Sequence, residues 1–317
     1  MTSVPDKLEA GKHKEIFNDQ IAPKYLDKKF SHEKPKIVIL CGQPGAGKGG
    51  LARAAEKEFA RDAVVVDPDE LREFHPNRRR FRSESPYTWA TRTHPDASAW
   101  AKELLAKAAA ERKNIILDKT LSNGQDSVEL VKKLQEQGYE VEVRVVATHK
   151  LESALGVEKR FADSLDGKGY GRYVPKSVHD ESYNNIPTTL NAIHEQTGVR
   201  IRIFSREGKE LDGSPVNSRR PGKVLKDERN ARMRDPKIRE KLKKDYEDQL
   251  DWHNSPDRIK NNPRITSEAA EALLSAPEKL HAVKNLEKNL KTIENNLKTI
   301  AQEAGPRTGR AHSLSPG

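Results

Sequence analysis

Residues 42–48 have the types and spacing of a loop that binds phosphate groups. Their pattern is G-x-x-x-x-G-K; it follows an apolar run at residues 36–41 and precedes a helical pattern that begins at Leu51. In that setting the backbone N–H groups and the helix N-terminus can surround anionic oxygens, and Lys48 can reach the β- and γ-phosphates of a nucleotide. We expect ATP to be bound by Gly42, Gln43, Pro44, Gly45, Ala46, Gly47, Lys48, Gly49 and Gly50.

The position after Lys48 departs from the usual pattern, in which a Ser or Thr hydroxyl helps to hold Mg²⁺. Here Gly49 and Gly50 supply no hydroxyl. We expect phosphate binding to persist, because the backbone and Lys48 provide it. For the metal two interpretations stay open: water with carboxylate support fills the position, or catalysis is weakened.

Acidic residues follow the next two apolar runs. Asp67 and Asp69 come after residues 63–66, and Asp118 comes after residues 114–117. Because the carboxyl ends of parallel strands line one crevice, we expect these carboxylates to face the phosphates. Asp69 is the candidate base for an attacking hydroxyl, and Asp118 is a candidate Mg²⁺ contact through water. For Asp67, capping of the following helix or metal support is as good an interpretation as catalysis.

Two arginines flank a glycine-containing stretch further along the chain. Arg160 precedes residues 163–171, and Arg172 follows them. Arginines beside such a segment can neutralise the charge that builds on a transferring phosphoryl group, although a lone arginine is more often a surface residue. The cluster at residues 78–82 could meet an acidic substrate, but its default interpretation is a solvated loop.

The elements that must position these residues alternate between strands and helices. Strands are predicted at residues 36–41, 63–66, 114–117, 141–147 and 199–204, and helices at 51–59, 97–112, 126–137, 151–172 and 176–196. Residues 75–95 are rich in Arg, Pro and Ser and are predicted to be mostly loop. The alternation predicts an α/β fold, P-loop NTPase or kinase-like, with a parallel sheet covered by helices on both faces.

The chain as a whole divides into three predicted segments. Residues 1–35 are polar with one amphipathic stretch, residues 36–213 hold the α/β domain, and residues 214–317 form a charged helical extension with a disordered end. Apolar residues at positions 283–300 follow a heptad spacing for under three heptads, which is more typical of a helix packed on its own domain than of a coiled coil. The extension is interpreted as an inhibitory or stabilising segment, an oligomerisation helix or a contact for acidic partners.

Composition excludes several other classes of protein. The single cysteine, Cys41, allows no internal disulfide, and no apolar run is long enough to cross a bilayer, so we expect a cytoplasmic protein, with delivery to another cell left open. The net charge is +10, of which residues 214–317 carry +7, from 22 Lys+Arg against 15 Asp+Glu. These charges are mixed in sign with few aromatic residues between them, which favours a solvated helical surface over a nucleic-acid site.

Several separated motifs occur in a specific order along residues 12–213. They are residues 42–48, Asp67-Pro68-Asp69 with His75-Pro76-Asn77, residues 156–161, Arg172 with Pro175, His179-Asp180, residues 185–190 and residues 203–208. This set resembles the zeta toxin family, P-loop kinases that phosphorylate a hydroxyl of UDP-N-acetylglucosamine and are restrained by an antitoxin.

The resemblance implies roles for individual residues. Lys48 would bind the phosphates of ATP, Asp69 would be the base, and Arg160 and Arg172 would stabilise the transferred phosphoryl group. Asp118 and Thr120 match the acid-x-threonine of the family that contacts substrate and metal, and Asp67 is grouped with them as substrate-binding. Asp118-Lys119-Thr120 replaces the more familiar Glu-Gly-Thr, and the region around residues 78–95 has no close match in the family.

These observations predict an ATP-dependent, Mg²⁺-assisted kinase acting on UDP-N-acetylglucosamine or a related nucleotide-linked substrate. A kinase for another hydroxyl compound such as NAD is one alternative, and an ATP-binding regulator with impaired catalysis is another. The expected partners are ATP, the small substrate, and an antitoxin or a cis-inhibitory segment.

Overall fold

The structure, a computed structural model, describes residues 7–85, 88–212 and 220–254, with isolated helical positions between 285 and 298. One six-stranded sheet has the order β2-β3-β1-β4-β5-β6. The strands are β1 Lys36–Cys41, β2 Val64–Val66, β3 Ile115–Asp118, β4 Glu140–Ala147, β5 Arg200–Ser205 and β6 Glu210–Asp212. The first five pair in parallel, which confirms the predicted sheet, and β6 adds an antiparallel edge that was not predicted.

Helices connect the strands and cover both faces. They are α1 Ala10–Ile16, α2 Ala22–Leu26, α3 Gly49–Glu58, α4 Pro68–Leu71, α5 Arg78–Glu84, α6 Trp89–Ala110, α7 Gly124–Glu136, α8 Lys150–Lys168, α9 Lys176–Thr197, α10 Pro221–Arg232 and α11 Pro236–Asn254. A π-helical turn, Phe17–Ile21, joins α1 to α2, and a 3₁₀ turn, Arg72–Phe74, follows α4.

Strand β1 shows why the sheet is buried on both sides. Its alternate residues Ile37 and Ile39 belong to a large apolar core with residues of α6, α7 and α9, whereas Val38 and Leu40 pack with Leu51 and other residues of the opposite face. A strand covered on both faces must be apolar at nearly every position, and this is the continuous apolar run that the sequence shows. The sheet therefore fixes the carboxyl ends of its strands on a rigid platform.

The prediction that residues 75–95 are mostly loop is wrong. Helix α5 spans Arg78–Glu84, and α6 begins at Trp89, eight residues before the predicted start at residue 97, with Pro95 inside it. Proline inside a helix is costly because it removes a backbone donor. The burial of Trp89, Thr93 and Trp100 along one face of α6 offsets that cost by packing.

The described part of the C-terminal extension packs against the α/β body. Leu225 of α10 is fully buried in the large core, and Leu242 and Tyr246 of α11 pack with Leu151 and Leu155 of α8. The predicted helical extension is therefore confirmed, and its first two helices are not a free tail. The boundaries at residues 35 and 213 stay predictions, and the heptad positions between 283 and 300 lie outside the described residues. No helix in the described ranges has the length and apolar character needed to cross a membrane.

Candidate functional site

The loop between β1 and α3 borders a cavity of about 560 Å³ at the carboxyl ends of the strands. The backbone φ angles of Gly45 and Gly47 are +76° and +102°, values that residues with a Cβ rarely adopt. Their lack of a side chain lets the loop turn back on itself, so that Pro44 to Gly49 border the cavity. This is the cradle geometry that the sequence pattern predicts.

Helix α8 lies directly against the phosphate-binding loop. A Cβ on Gly45 would stand 2.0 Å from the carbonyl oxygen of Ser153, and a Cβ on Gly156 would stand 2.7 Å from the carbonyl oxygen of Gly45. Glycine at both positions is what allows this approach, because any side chain would meet backbone atoms. The approach brings Arg160, one turn beyond Gly156 on α8, to the same cavity.

The Lys48 side chain lies between the loop and the end of β3. Its Nζ donates to the carbonyl oxygen of Gly42 at 2.9 Å and is 3.5 Å from Oδ1 of Asp118. Both oxygens hold the ammonium group at the cavity, where bound phosphates would compete for it. Thr120 also borders the cavity, and its hydroxyl is 3.3 Å from that of Ser122.

Asp69 is held by two arginines. Nε of Arg72 is 3.1 Å from Oδ1 of Asp69, and Arg172 forms an ion pair with Oδ2. Arg72 is itself anchored by Thr93 at 3.2 Å and by the carbonyl oxygen of Ala90. Burial lowers the pKa of Arg72 to about 10 and also lowers the pKa of Arg172. Both nevertheless stay charged at neutral pH, because guanidinium groups titrate far above it.

Asp67 caps α4 and also borders the cavity. Its Oδ1 accepts a hydrogen bond from the backbone N–H of Asp69 at 2.8 Å, which orients the first turn of the helix that carries Asp69. Burial and then the negative charges of Asp118 and Glu70 raise the pKa of Asp67 to about 6. The capping interpretation is thus supported, and Asp67 remains close enough to Asp118 for the two charges to repel.

Nearly all of the predicted site residues meet at this cavity. It is bordered by Pro44, Gly45, Ala46, Gly47, Lys48, Gly49, Asp67, Pro68, Asp69, Arg72, His94, Asp118, Lys119, Thr120, Gly156, Arg160, Arg172 and Arg206. Gly42, Gln43 and Gly50 do not border it. Six Lys or Arg side chains face three Asp side chains, so the cavity carries an excess of positive charge that suits a polyphosphate.

Sequence reasoning missed four of these side chains. Three of them could have been found from their positions in the sequence, because they lie beside predicted site residues or at the carboxyl end of a strand. Arg72 is one helical turn after Asp69, Lys119 lies between Asp118 and Thr120, and Arg206 follows the end of β5. His94 could not have been found in this way, because it reaches the cavity from a segment that was predicted to be loop. Burial, followed by the charge of Arg72, lowers the pKa of His94 and keeps its imidazole neutral.

A second cavity of about 200 Å³ adjoins the first at Asp69. Asp69, Arg72, Arg160 and Arg172 border both cavities. The second is also bordered by Glu73, Arg82, Trp89, Ser164, Lys168, Tyr170 and Gly171. The predicted solvated cluster at residues 78–82 is therefore wrong for Arg82.

Arg82 is part of the wall of the second cavity. Its guanidinium carbon is 4.2 Å from the ring centroid of Trp89 and 4.3 Å from that of Tyr170. A guanidinium group over an aromatic face is attracted by the ring quadrupole, so these contacts favour this position of the cation. The second cavity thus combines fixed positive charge with aromatic surface.

The order of these elements and motifs has a match among known families. The model of the zeta toxin family matches residues 23–212. The chain belongs to the zeta toxin family. The resemblance predicted from the sequence is therefore confirmed, together with the kinase-like P-loop fold of that family.

Individual zeta toxins are similar over much of the chain. The toxin zeta of Enterococcus hirae is 28% identical over 216 residues, 67% of this chain and 75% of the relative. The toxin PezT of Streptococcus pneumoniae serotype 4 is 27% identical over 201 residues, 63% of this chain and 79% of the relative. A solved structure of the PezAT chromosomal toxin–antitoxin system of Streptococcus pneumoniae shares the fold, with a TM-score of 0.67, 21% identity, and coverage of 77% of this chain and 98% of the matched one.

Proposed function

We propose that the protein is an ATP-dependent kinase that phosphorylates a sugar hydroxyl of a nucleotide-linked substrate such as UDP-N-acetylglucosamine. One observation carries the proposal: Asp69 stands where the phosphate-loop cavity meets a second, basic and aromatic cavity. A kinase needs a site for the phosphate donor, an adjacent site for the acceptor, and a base where the two sites meet. The two cavities and Asp69 supply these three parts.

ATP occupies the larger cavity in this proposal. The triphosphate lies in the loop at residues 44–49, with Lys48 leaving its contact with Asp118 to pair with the phosphate oxygens. Arg206 and Arg160 border the same space. Positive charge fixed in advance by the fold stabilises the transferring phosphoryl group without reorganisation during the reaction.

Asp69 accepts the proton of the acceptor hydroxyl. The acceptor oxygen forms a bond to the γ-phosphorus, the bond between that phosphorus and the β–γ bridging oxygen breaks, and ADP leaves. Arg72 and Arg172 each occupy one side of the carboxylate and leave other lone pairs for the hydroxyl. Arg172 and Arg160 then neutralise charge on the transferred group, because both border the two cavities.

The residues at the cavity fit Mg²⁺ held through carboxylates and water. Asp67 and Asp118 are near enough for the charge of Asp118 to raise the pKa of Asp67, and a divalent cation would relieve that repulsion. Within the described ranges no group of three or more His, Cys, Asp or Glu residues could hold a metal by itself. Mg²⁺ bound with the nucleotide would supply charge neutralisation at the phosphates, and Gly49 contributes no hydroxyl to it.

The acceptor fits the second cavity. Arg82, Lys168 and the arginines beside Asp69 suit phosphate groups, and the rings of Trp89 and Tyr170 suit a flat or apolar face of the ligand. A nucleotide-linked sugar carries both kinds of group. We further propose an antitoxin as a partner, because the matched Streptococcus pneumoniae structure is of a toxin–antitoxin system.

The test is ATP turnover by the purified protein with UDP-N-acetylglucosamine and Mg²⁺. We expect turnover that requires the sugar nucleotide and falls by at least about a hundredfold in Lys48→Ala and in Asp69→Asn. Lys57→Ala and Asp19→Asn are matched controls, because they remove the same charges at exposed positions away from both cavities, and their turnover should equal that of the wild type.

The outcomes separate the alternatives. Turnover with NAD or another alcohol but not with the sugar nucleotide would show a kinase with a different acceptor. ATP binding through Lys48 without turnover on any acceptor would contradict the kinase and support a regulator whose loop only binds. Full activity of Asp69→Asn would show that the base is another group.

A further inference from the structure

Gln43, the second residue of the phosphate loop, is fully buried and does not border the ATP cavity. Its side-chain Nε2 donates to the carbonyl oxygen of Thr148 at 2.9 Å and lies 3.0 Å from the hydroxyl of Ser153. Thr148 in turn donates from its hydroxyl to the carbonyl oxygen of Ala46 at 2.7 Å, inside the loop. The Gln43 amide is therefore part of a buried network of hydrogen bonds that holds the phosphate loop from the protein interior.

The remaining bond of that amide comes from the C-terminal extension. One terminal nitrogen of Arg229, on α10, donates to Oε1 of Gln43 at 2.8 Å, and the other donates to the carbonyl oxygen of Tyr183 at 2.9 Å. The guanidinium carbon also lies 3.9 Å from the ring centroid of Tyr183. Arg229 lies outside residues 23–212, the segment that the family model matches.

Arg229 is a buried cation without an acidic partner in the described ranges. It is 2% exposed, its Nε makes no hydrogen bond there, and the hydrogen bonds of its terminal nitrogens go to the neutral oxygens of Gln43 and Tyr183. Arg232, one turn later on α10, pairs instead with Glu152 and Glu207. A buried charge with no adjacent counter-charge is costly, so its retention calls for a functional reason.

We infer that Arg229 is a positioning residue for nucleotide binding: it holds Gln43, and its positive charge behind the phosphate loop is balanced by the triphosphate when ATP binds. The extension thereby completes the site of the α/β body. The inference rests on the proposed ATP site and adds to it a requirement for α10.

The test measures dissociation constants for ATP and for inorganic tripolyphosphate, in the absence of acceptor, on the full chain. Arg229→Gln removes the charge and leaves one amide NH2 donor on a shorter side chain. We expect it to weaken both ligands about tenfold or more, the size of the loss expected for one charged hydrogen-bonding group. Arg229→Lys restores the charge and should recover most of the affinity.

Leu225→Ala is the matched control for the packing of α10. Leu225 is fully buried on the same helix, and its apolar side chain makes none of the hydrogen bonds to Gln43, so its variant should melt at a lower temperature but bind ATP as the wild type does. Affinity of Arg229→Gln within about twofold of wild type, or an equal loss in Leu225→Ala or Arg229→Lys, would overturn the inference and leave the kinase standing. A wild-type chain that binds neither ligand would instead remove the proposed ATP site, and the inference with it.

Discussion

Gly45 offers the sharpest test of how the phosphate loop is held. Its φ of +76° is strained for any residue with a Cβ, and a Cβ there would stand 2.0 Å from the carbonyl oxygen of Ser153 and 2.9 Å from the backbone nitrogen of Val157. Both contacts are with the backbone of α8, which cannot rotate away as a side chain can. Gly45→Ala must therefore move the loop, the helix or both.

The expected loss of stability has two contributions, the strain of the backbone and the crowding of the added methyl group. The left-handed conformation costs about 1–2 kcal/mol for alanine. Forcing a methyl group into a filled space costs about 1–3 kcal/mol more. Together they predict a fall in melting temperature of roughly 5–15 °C for a domain of this size. Because the loop itself is displaced, ATP affinity should be lost as well.

Gly50→Ala is the matched control within the same loop-to-helix segment. Gly50 lies in the first turn of α3, and a Cβ there meets no atom within 4 Å. Alanine in a helix is favoured over glycine by about 0.5–1 kcal/mol, so this variant should melt at the same or a slightly higher temperature and keep its ATP affinity. Thermal unfolding followed by circular dichroism and ATP titration measure both effects. Equal melting temperatures and affinities for the two variants would refute the close packing of the loop on α8.

Two further predictions concern Gly49 and Asp67. A Cβ on Gly49 would have no neighbour nearer than 3.7 Å, so a serine fits at this position. We expect Gly49→Ser to lower the Mg²⁺ concentration that gives half-maximal turnover, because its hydroxyl can help to hold the ion. An unchanged dependence of turnover on Mg²⁺ would contradict a role for that hydroxyl. Folding raises the pKa of Asp67 from 3.8 to about 6, so the folded protein binds more protons there and stability falls as pH rises across that interval. Asp67→Asn keeps the cap, so we expect it to melt at a higher temperature than the wild type at pH 8 without metal and at the same temperature near pH 3. A difference in melting temperature that does not change with pH would refute the raised pKa of Asp67.

The sequence predicted the cavity well because its parts are local to strand ends. A parallel sheet brings the carboxyl ends of its strands together whatever the loops do, so the loop at residues 42–48, the acids after residues 66 and 117, and the arginines near α8 converge. Arg160 and Arg172 needed the family resemblance as well, since nothing local distinguishes them from surface arginines. The capping role of Asp67 was left open by the sequence, because a strand-end acid can serve either purpose.

The region of residues 75–95 was missed for a physical reason. Pro76, Pro86 and Pro95 lower local helix propensity, so the segment is predicted to be loop. Tertiary packing overrides that preference: Phe81 is fully buried, and Trp89 donates from its indole to the carbonyl oxygen of Gly171 at 3.0 Å. The consequence was more than a wrong boundary, because these helices bring His94 and Arg82 to the two cavities.

The link between Gln43 and Arg229 could not have been predicted from the chain, because 186 positions separate the two residues and neither belongs to a periodic pattern that points to the other. On the sequence alone, Arg229 is one basic residue in a charged helix, for which a solvated surface is the reasonable interpretation. The burial of Arg229 argues against that interpretation, since a buried arginine without an acidic partner in the described part of the chain costs stability. The net charge of the extension is therefore a poor guide to its purpose. Arg229 and Arg232 are both buried, and Arg229 contacts Gln43 in the loop that the proposed phosphate chemistry requires.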